Sequence, residues 1–360
     1  MAEQTALAQA RRRIRVLSNN GLESTELRLA VLDQLARVVP FDAAFFPTAD
    51  PATLLYTSAV RTGMPDGLTA GFLANEFETS DVNKFRLMVG SSTTAATLDS
   101  ATHGDRSRSS RSRELMQPIG LGDELRVVFR TGGTTWGFAC LHRGFGRSFD
   151  VDEVAWVRSL ASDIGEGLRR SAVAQRVLGN VANDGPGMMT LAPDLTVLAA
   201  TPTAEMWLED LAATERPRAH ALPVAVLAVV RALSETPDRP SVPRLTARAA
   251  SGRWLVLHAA TLHHTNSTES VSQIAVVIEP ASRFELEPLI ASGFALTPRE
   301  AQTLTLLLRG MPTKTIANAL HITTHTANDY VKSIFAKTGV NSRGELMTVV
   351  FFNQNQLRAH

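Results

Sequence analysis

Near the C-terminus, His325, Asn328, Asp329, Lys332 and Ala336 are spaced mostly three or four residues apart. That spacing gathers side chains on one face of an α-helix. Asn328 offers a donor and an acceptor that match N6 and N7 of adenine. Asp329 can accept from N4 of cytosine, and Lys332 can reach guanine or a phosphate. A face of this kind reads base edges in a DNA groove. Asp329 has a second reading, an ion pair with Lys332 three residues on. Ser333, four residues on, is neutral, so Lys332 is the one close cation expected. Both readings of Asp329 stay open.

The surrounding sequence supplies the helices that such a face needs. Thr297-Pro298-Arg299-Glu300 is a helix start. Thr297 caps through its hydroxyl, Pro298 takes the first position, where its missing N–H is not needed, and Glu300 sits where a capping box places its acid. Leu304, Leu307 and Leu308 make the inward stripe, and Gly310 ends the helix. A second helix covers Thr313 to Leu320, with Ile316 and Leu320 toward the core and small Ala317 at a close crossing. His321-Ile322-Thr323 makes the turn. The third helix runs from Thr324 to about Thr338, with Ala327, Val331, Ile334 and Phe335 inward, and Gly339 stops it. Asn341 or Ser342 caps a fourth helix reaching about Phe352. A short helix, a tight turn and a longer helix with an outward polar face make a helix-turn-helix.

Leu296-Thr297-Pro298-Arg299-Glu300, Lys314-Thr315-Ile316-Ala317, Leu320-His321-Ile322, Thr326, Lys332, Ile334-Phe335, Lys337-Thr338-Gly339-Val340 and Ser342-Arg343 resemble the LuxR-type DNA-binding domain. The resemblance implies binding of double-stranded DNA, usually as a homodimer, and regulation of transcription, with the third helix in the major groove. The candidate DNA-binding residues are Lys314, Thr324, His325, Thr326, Asn328, Asp329, Lys332, Ser333, Lys337 and Arg343. The sequence departs from the family in its reading face. Thr326-Ala327 precedes Asn328 where Lys is common, and Asp329 and Tyr330 also differ, so no operator sequence carries over. From Phe294 to His360, seven Lys and Arg against three acids give +4, while the whole chain carries +1, leaving −3 for the rest. The asymmetry marks this end as the DNA contact.

Upstream, residues 3 to 17 read as a helix with Leu7, Ile14 and Leu17 on one face and Arg11, Arg12, Arg13 and Arg15 solvated. Such a helix can pack on a neighbour or a second copy, or bind nucleic acid or membrane. Leu22 to Val39 is amphipathic, and Pro40 ends it. Strands are expected at Phe41–Phe46 and Thr53–Ser58, with the turn from Pro47 to Pro51. A helical, loop-rich region follows from Leu68 to about Met116. Two β-rich runs around Gly132-Gly133 make a hairpin, and a long helix runs from Asp150 to about Val177. This order resembles a GAF domain, which implies a sensor fold with a pocket between the sheet and the crossing helices. Arg106, Arg108, Arg111 and Arg113, in and around the serine-rich run Ser107 to Ser112, read as a mobile loop or solvated helix edge, or as a site that binds an anionic ligand or accepts phosphate on its serines. Cys140 reads as a buried, inert thiol, or as a redox sensor. His103 and His142 have no ligand partner at suitable spacing, so no metal site is expected.

Asn180 to Gly187 is a linker by composition. A short hairpin, two helices (the first opened by Thr201-Pro202, the second from Pro223 to Leu233) and three strands then resemble a small PAS domain. His263-His264 lie in its last hairpin loop, where a polar loop tip and a metal site are the two readings.

The fold class expected is multidomain α+β: two α/β sensor domains (GAF-like, PAS-like) followed by an all-α four-helix helix-turn-helix domain. The boundaries expected are 1–20 for an N-terminal helix, 21–178 GAF-like, 179–187 linker, 188–280 PAS-like, 281–293 connector and 294–360 LuxR-type. A hydrophobic share of 44% in 360 residues suits several packed domains. The single cysteine excludes an internal disulfide and suits a reducing cytoplasm. No apolar run reaches a membrane span, so a cytoplasmic protein without a membrane partner is expected. No Gly-x-x-x-x-Gly-Lys loop, Gly-x-Ser-x-Gly elbow or His-Glu-x-x-His motif is present, so no enzyme is expected. No cofactor is expected. The partners expected are double-stranded DNA, a second copy of the chain and a small-molecule effector, with RNA polymerase a further candidate. The alternative is a ligand-binding signalling or scaffold protein whose C-terminal helices bind protein.

Overall fold

The computed structural model describes residues 2–65, 67–173, 185–217, 222–235, 242–262 and 273–351. Two helices lead the chain, α1 (Ala2–Asn19) and α2 (Ser24–Ala36). Strands β1 (Ala43–Ala49) and β2 (Tyr56–Thr62) follow, then a crossing region of α3 (Leu68–Glu78), α4 (Phe85–Val89), β3 (Ala95–Thr97) and α5 (Leu98–Ala101). The hairpin β4 (Leu121–Thr131) and β5 (Thr134–Gly144) leads into α6 (Val151–Val173). The strands form one antiparallel sheet in the order β2-β1-β5-β4-β3. This is the order of elements that the GAF resemblance implies.

The turn of the long hairpin is Gly132-Gly133, both at positive φ, as a two-residue hairpin turn requires. Asp150 caps α6: its Oδ1 accepts from Glu153 N at 2.8 Å, and Glu153 returns the bond to Asp150 N at 3.0 Å. Val154, Val157, Leu160, Ile164 and Leu168 are buried as their spacing predicts. Gly165 lets α6 lie against the sheet, because a Cβ there would fall 2.8 Å from the Arg130 carbonyl carbon. On the outer side, α1 buries Ala10 and Ile14. Its Arg15 pairs with Asp163 of α6 at 2.8 Å, and Arg11 hydrogen-bonds Ser159. The basic helix thus packs on its neighbour.

Two expectations need correction here. Pro47 does not turn the chain; β1 runs through it, with Pro47 opposite Ala59. Pairing of β1 with β5 skips Phe46 and Pro47, as expected where proline has no N–H to give. The chain turns after Asp50 instead, with Leu54 at φ 64°. The second correction concerns Arg111, which is no solvated edge. It is fully buried, beneath the sheet face that α6 does not cover.

A second antiparallel sheet is built from β6 (Gly187–Leu191), β7 (Val197–Ala200), α7 (Pro202–Ala212), α8 (Val224–Arg231), β8 (Arg244–Arg248), β9 (Trp254–Leu262) and β10 (Gln273–Pro280). Its order is β7-β6-β10-β9-β8, the same arrangement of consecutive strands as the first sheet. Thr201 caps α7 through its hydroxyl, with Pro202 at the first position. The apolar side chains of α8 are buried on every side, because it lies between this sheet and the α3 and β2 elements of the first domain. Gly187, expected as linker, opens β6 and pairs with Ile278. The rest of the linker except residues 185–186, the end of the long helix beyond Val173, and His263-His264 lie outside the described residues.

The expected connector is a helix, α9 (Arg283–Gly293), opened by a capping box of Ser282 and Glu285. Then come α10 (Pro298–Leu308), α11 (Thr313–Ala319), α12 (Thr324–Thr338) and α13 (Arg343–Phe351). Helix α9 touches both neighbours. Arg169 of α6 donates to the Gly293 carbonyl, and Thr305 of α10 donates to Glu287. Leu286, Leu289 and Ile290 join one buried cluster that runs from the first domain into the C-terminal helices. No helix among the described residues is long and apolar enough to cross a membrane.

Candidate nucleic-acid interface

Local chemistry fixes how α12 is presented. The turn after α11 places His321 at φ 54°, and Ile322 N returns to the Ala317 carbonyl at 3.0 Å. Ala317 and Ile316 are buried at the crossing. Thr323 caps α12 by accepting from Thr326 N at 3.1 Å, and the two hydroxyls lie 2.9 Å apart. Ala327, Val331 and Ile334 are buried, Phe335 half-buried. The opposite side is exposed along Thr324, His325, Asn328, Asp329, Lys332 and Ala336. Lys314 on α11 is exposed too.

Asp329 does pair along the helix, but with His325 rather than Lys332. His325 Nδ1 lies 3.0 Å from Asp329 Oδ2. The partner is the imidazole four residues earlier on the same face, a neighbour outside the cations that the spacing toward Lys332 points to. His325 is 89% and Asp329 55% exposed, so the pair contributes at most about 1 kcal/mol and leaves both side chains available to a ligand.

Four other candidates have duties inside the domain. Ser333 donates to Glu300 Oε1 at 2.5 Å, and Lys337 donates to Glu300 Oε2 at 2.6 Å. Arg343 donates to the Met311 carbonyl at 2.8 Å and to Thr313 Oγ1 at 2.7 Å. Thr326 completes the cap. Glu300 therefore has two functions. It closes the α10 capping box, accepting from Thr297 N at 2.6 Å, and it anchors α12. Burial would raise its carboxyl, but bonds from Lys337, Ser333 and Thr297 outweigh that and bring it down to about 2. The sequence signals only the first function, since a capping box does not show what lies across the helix pair.

The first domain gathers a different chemistry. Arg111 Nε and Arg126 Nε donate to Glu124 Oε2 at 2.9 and 3.2 Å, and Arg126 Nη1 donates to Glu76 Oε2 at 2.7 Å. Arg126 also stacks over Phe85, 4.5 Å from the ring centre. Burial pushes His142 down to about 4 and the Cys140 thiol up. His142 is also a correction: it lies opposite Glu124 across the hairpin, although no partner shows in the sequence spacing. Between the sheet and the crossing helices, the described residues gather this charged, aromatic interior. A cavity of about 620 Å³ lies elsewhere, at the junction of both sheets and α9. Trp136, Leu168, Thr48, Arg248, Trp254 and Leu289 are among its walls.

The short α11, the tight turn and the exposed face of α12 define a helix-turn-helix DNA-binding domain. Residues 295–350 match the family described as GerE, bacterial regulatory proteins, luxR family. The C-terminal domain is therefore of the LuxR type, and its ligand is DNA. No curated protein matches the chain. Among solved structures, the chain is similar to the GAF domain of a phosphoenolpyruvate-protein phosphotransferase from Acinetobacter, at 12% identity over 47% of this chain and 96% of that one, with a TM-score of 0.32. It is similar to the LuxR-type receptor VqmA of Vibrio cholerae, at 16% identity over 47% and 83%, with a TM-score of 0.22. It is also similar to SdiA of Escherichia coli, at 11% identity over 94% of both chains, with a TM-score of 0.32.

Proposed function

We propose that this chain is a dimeric transcription regulator whose GAF-like and PAS-like domains control the hold of two α12 helices on DNA. The carrying observation is the division of labour among the polar residues of the C-terminal domain. Lys337 and Arg343 are used to lock helices together, while Lys314, Asn328 and Lys332 stay exposed. In this reading Asn328, Asp329 and Lys332 contact base edges, and Lys314, Thr324 and His325 contact the backbone or its neighbours in the groove. Ser333, Lys337, Thr326 and Arg343 position them.

The junction cavity is the effector site in this proposal, because its wall includes Leu289 of α9, the helix that joins sensor to DNA-binding domain. An effector there changes how two modules are held. Paired modules gain affinity only when their spacing fits the DNA. Identical α12 helices read two related half-sites, about 10–10.5 base pairs apart or a multiple of that. RNA polymerase is the partner through which bound regulator acts on transcription.

The test is selection of bound fragments from a random DNA pool by the full-length protein, at two salt concentrations, with and without cell extract as a source of effector. Enriched inverted or direct repeats whose binding weakens with salt support the reading. Recovery of no preferred sequence under either condition overturns it.

A further inference from the structure

The sheet face turned away from α6 brings three possible ligands together. Glu124 of β4 is the register partner of His142 on β5, and Cys140 lies two residues along β5 on the same face. One ligand atom from each side chain lies within 4.8 Å of the others. All three side chains are buried, Glu124 and His142 completely. Glu124 spends only Oε2 on Arg111 and Arg126. Among the described residues, Glu124 Oε1 and both ring nitrogens of His142 have no hydrogen-bond partner. The gap of 4.0 Å between Oε1 and His142 Nε2 is too long for a hydrogen bond. Buried polar atoms left unpaired are costly, so such a gathering calls for an occupant.

Donor chemistry says what kind. Around this point Glu76, Asp81 and Glu124 face Arg111 and Arg126, and Lys84 donates to the Asn75 carbonyl beside them. These cations leave Glu124 Oε1 free, and it lies beside an imidazole and a thiol, both of which are ligands for a metal ion. Tetrahedral bonds of about 2.0–2.3 Å place ligand atoms roughly 3.3–3.8 Å apart, so the three side chains need converge by only about 1 Å. A mixed nitrogen, sulfur and oxygen set suits zinc and its neighbours, not calcium or magnesium.

We infer that Glu124, Cys140 and His142 bind a divalent transition metal of the zinc class through one carboxylate oxygen, one thiolate and one imidazole nitrogen. The fourth position is left for a small ligand. On binding, the Cys140 S–H bond breaks, a sulfur–metal bond forms, and the proton leaves to solvent. Arg111 and Arg126 orient the carboxylate from the far side, as supporting residues of metal sites do. The inference does not depend on DNA binding. Because the site is buried, the metal enters as the chain folds.

Cobalt(II) is the probe. Full-length protein refolded from denaturant with cobalt chloride, then dialysed, is expected to retain one equivalent and to show a thiolate-to-cobalt charge-transfer band. Cys140 is the only cysteine in the chain, so that band reports this site alone. Cys140→Ser abolishes the band, and His142→Gln weakens cobalt retention by about tenfold or more, each with wild-type circular dichroism. His325→Gln, on the exposed face of α12, changes neither. The wild-type spectrum decides the matter even where a variant fails to fold. Metal analysis of protein purified from zinc-supplemented cells is the second measurement and is expected to give one zinc per chain. Wild-type protein that retains no metal by either route overturns the inference, as does cobalt bound without the charge-transfer band.

Discussion

Lys337 on α12 reaches across 2.6 Å to Glu300 on α10, and Ser333, one turn earlier, donates to the same carboxylate. The recognition helix is thus pinned from behind by the residue that also caps α10. Glu300→Gln keeps the shape but removes the charge, and is expected to cost about 1–3 kcal/mol of C-terminal domain stability. Lys337→Met should cost a similar amount, because it leaves Glu300 buried without its cation. Sequence preference on DNA should be unchanged in both. Thermal unfolding and pool selection check this. Should Lys337→Met instead keep full stability while losing affinity equally on all sequences, Lys337 is a phosphate contact and not a positioning residue.

The same carboxylate sets an acid limit. Glu300 is held at about 2, below its ordinary value of 4.5. A carboxyl lowered by folding stabilises the native state fully above about pH 4.5, and that contribution is lost as pH falls from there through about pH 2. Unfolding measured between pH 6 and pH 2.5 should therefore fall more steeply in the wild type than in Glu300→Gln. Parallel curves would show that the carboxylate is no better held in the native chain than in the unfolded one.

Much of this architecture is written in side-chain spacing. The stripe Val154, Val157, Leu160, Ile164 and Leu168 places α6, and the Thr297-Pro298-Arg299-Glu300 start places α10, because helical periodicity and caps are local signals. The buried cluster of the first domain is not local. Phe129 pairs with Gly137 while Arg130 pairs with Thr135, leaving Trp136 as an extra residue on β5. Counted from the Gly132-Gly133 turn without that bulge, Glu124 would oppose Leu141 instead of His142. One inserted residue exchanges the two faces of a strand, so the Glu124, Cys140 and His142 gathering appears only once the register is known. Arg111 is hidden for a related reason. Its serine-rich surroundings read as surface, and its partners Asp81 and Glu124 lie far off in sequence. His325 and Asp329 needed no tertiary knowledge, only attention to the residue four places earlier.

Lys332 is the sharpest probe of the exposed face, since it is solvent-facing and no described ion pair holds it. Lys332→Ala is expected to leave thermal unfolding within about 0.5 kcal/mol of wild type and to weaken DNA binding. If Lys332 reads guanine, the loss is about 1–3 kcal/mol and confined to sites with that base. If it meets a phosphate, the loss is uniform and the salt dependence drops by about one counterion. Titrations against selected and scrambled sites at two salt concentrations separate these. Unchanged binding at both would remove Lys332 from the interface.

In the proposed function, the contact of α6 with α9 carries the coupling between the sensor domains and the DNA-binding domain, and Gly293 is a point of close approach in that contact. A Cβ on Gly293 would lie 2.3 Å from Val173 Cγ1. Valine is β-branched and stiff about χ1, and the Arg169 bond to the Gly293 carbonyl holds the backbone in place. Gly293→Ala therefore has to push α9 away from α6, at a cost of about 1–3 kcal/mol for overpacking. The two ends of the shared apolar cluster then separate, Leu168 and Trp136 on one side and Leu304 and Leu307 on the other. Calorimetry is expected to resolve the C-terminal domain as a separate transition in Gly293→Ala, where the wild type unfolds with its sensor domains. In the pool selection, the variant should bind DNA but no longer respond to effector-containing extract. A variant that melts and responds like wild type would show that Val173 moves aside freely and that the coupling runs elsewhere.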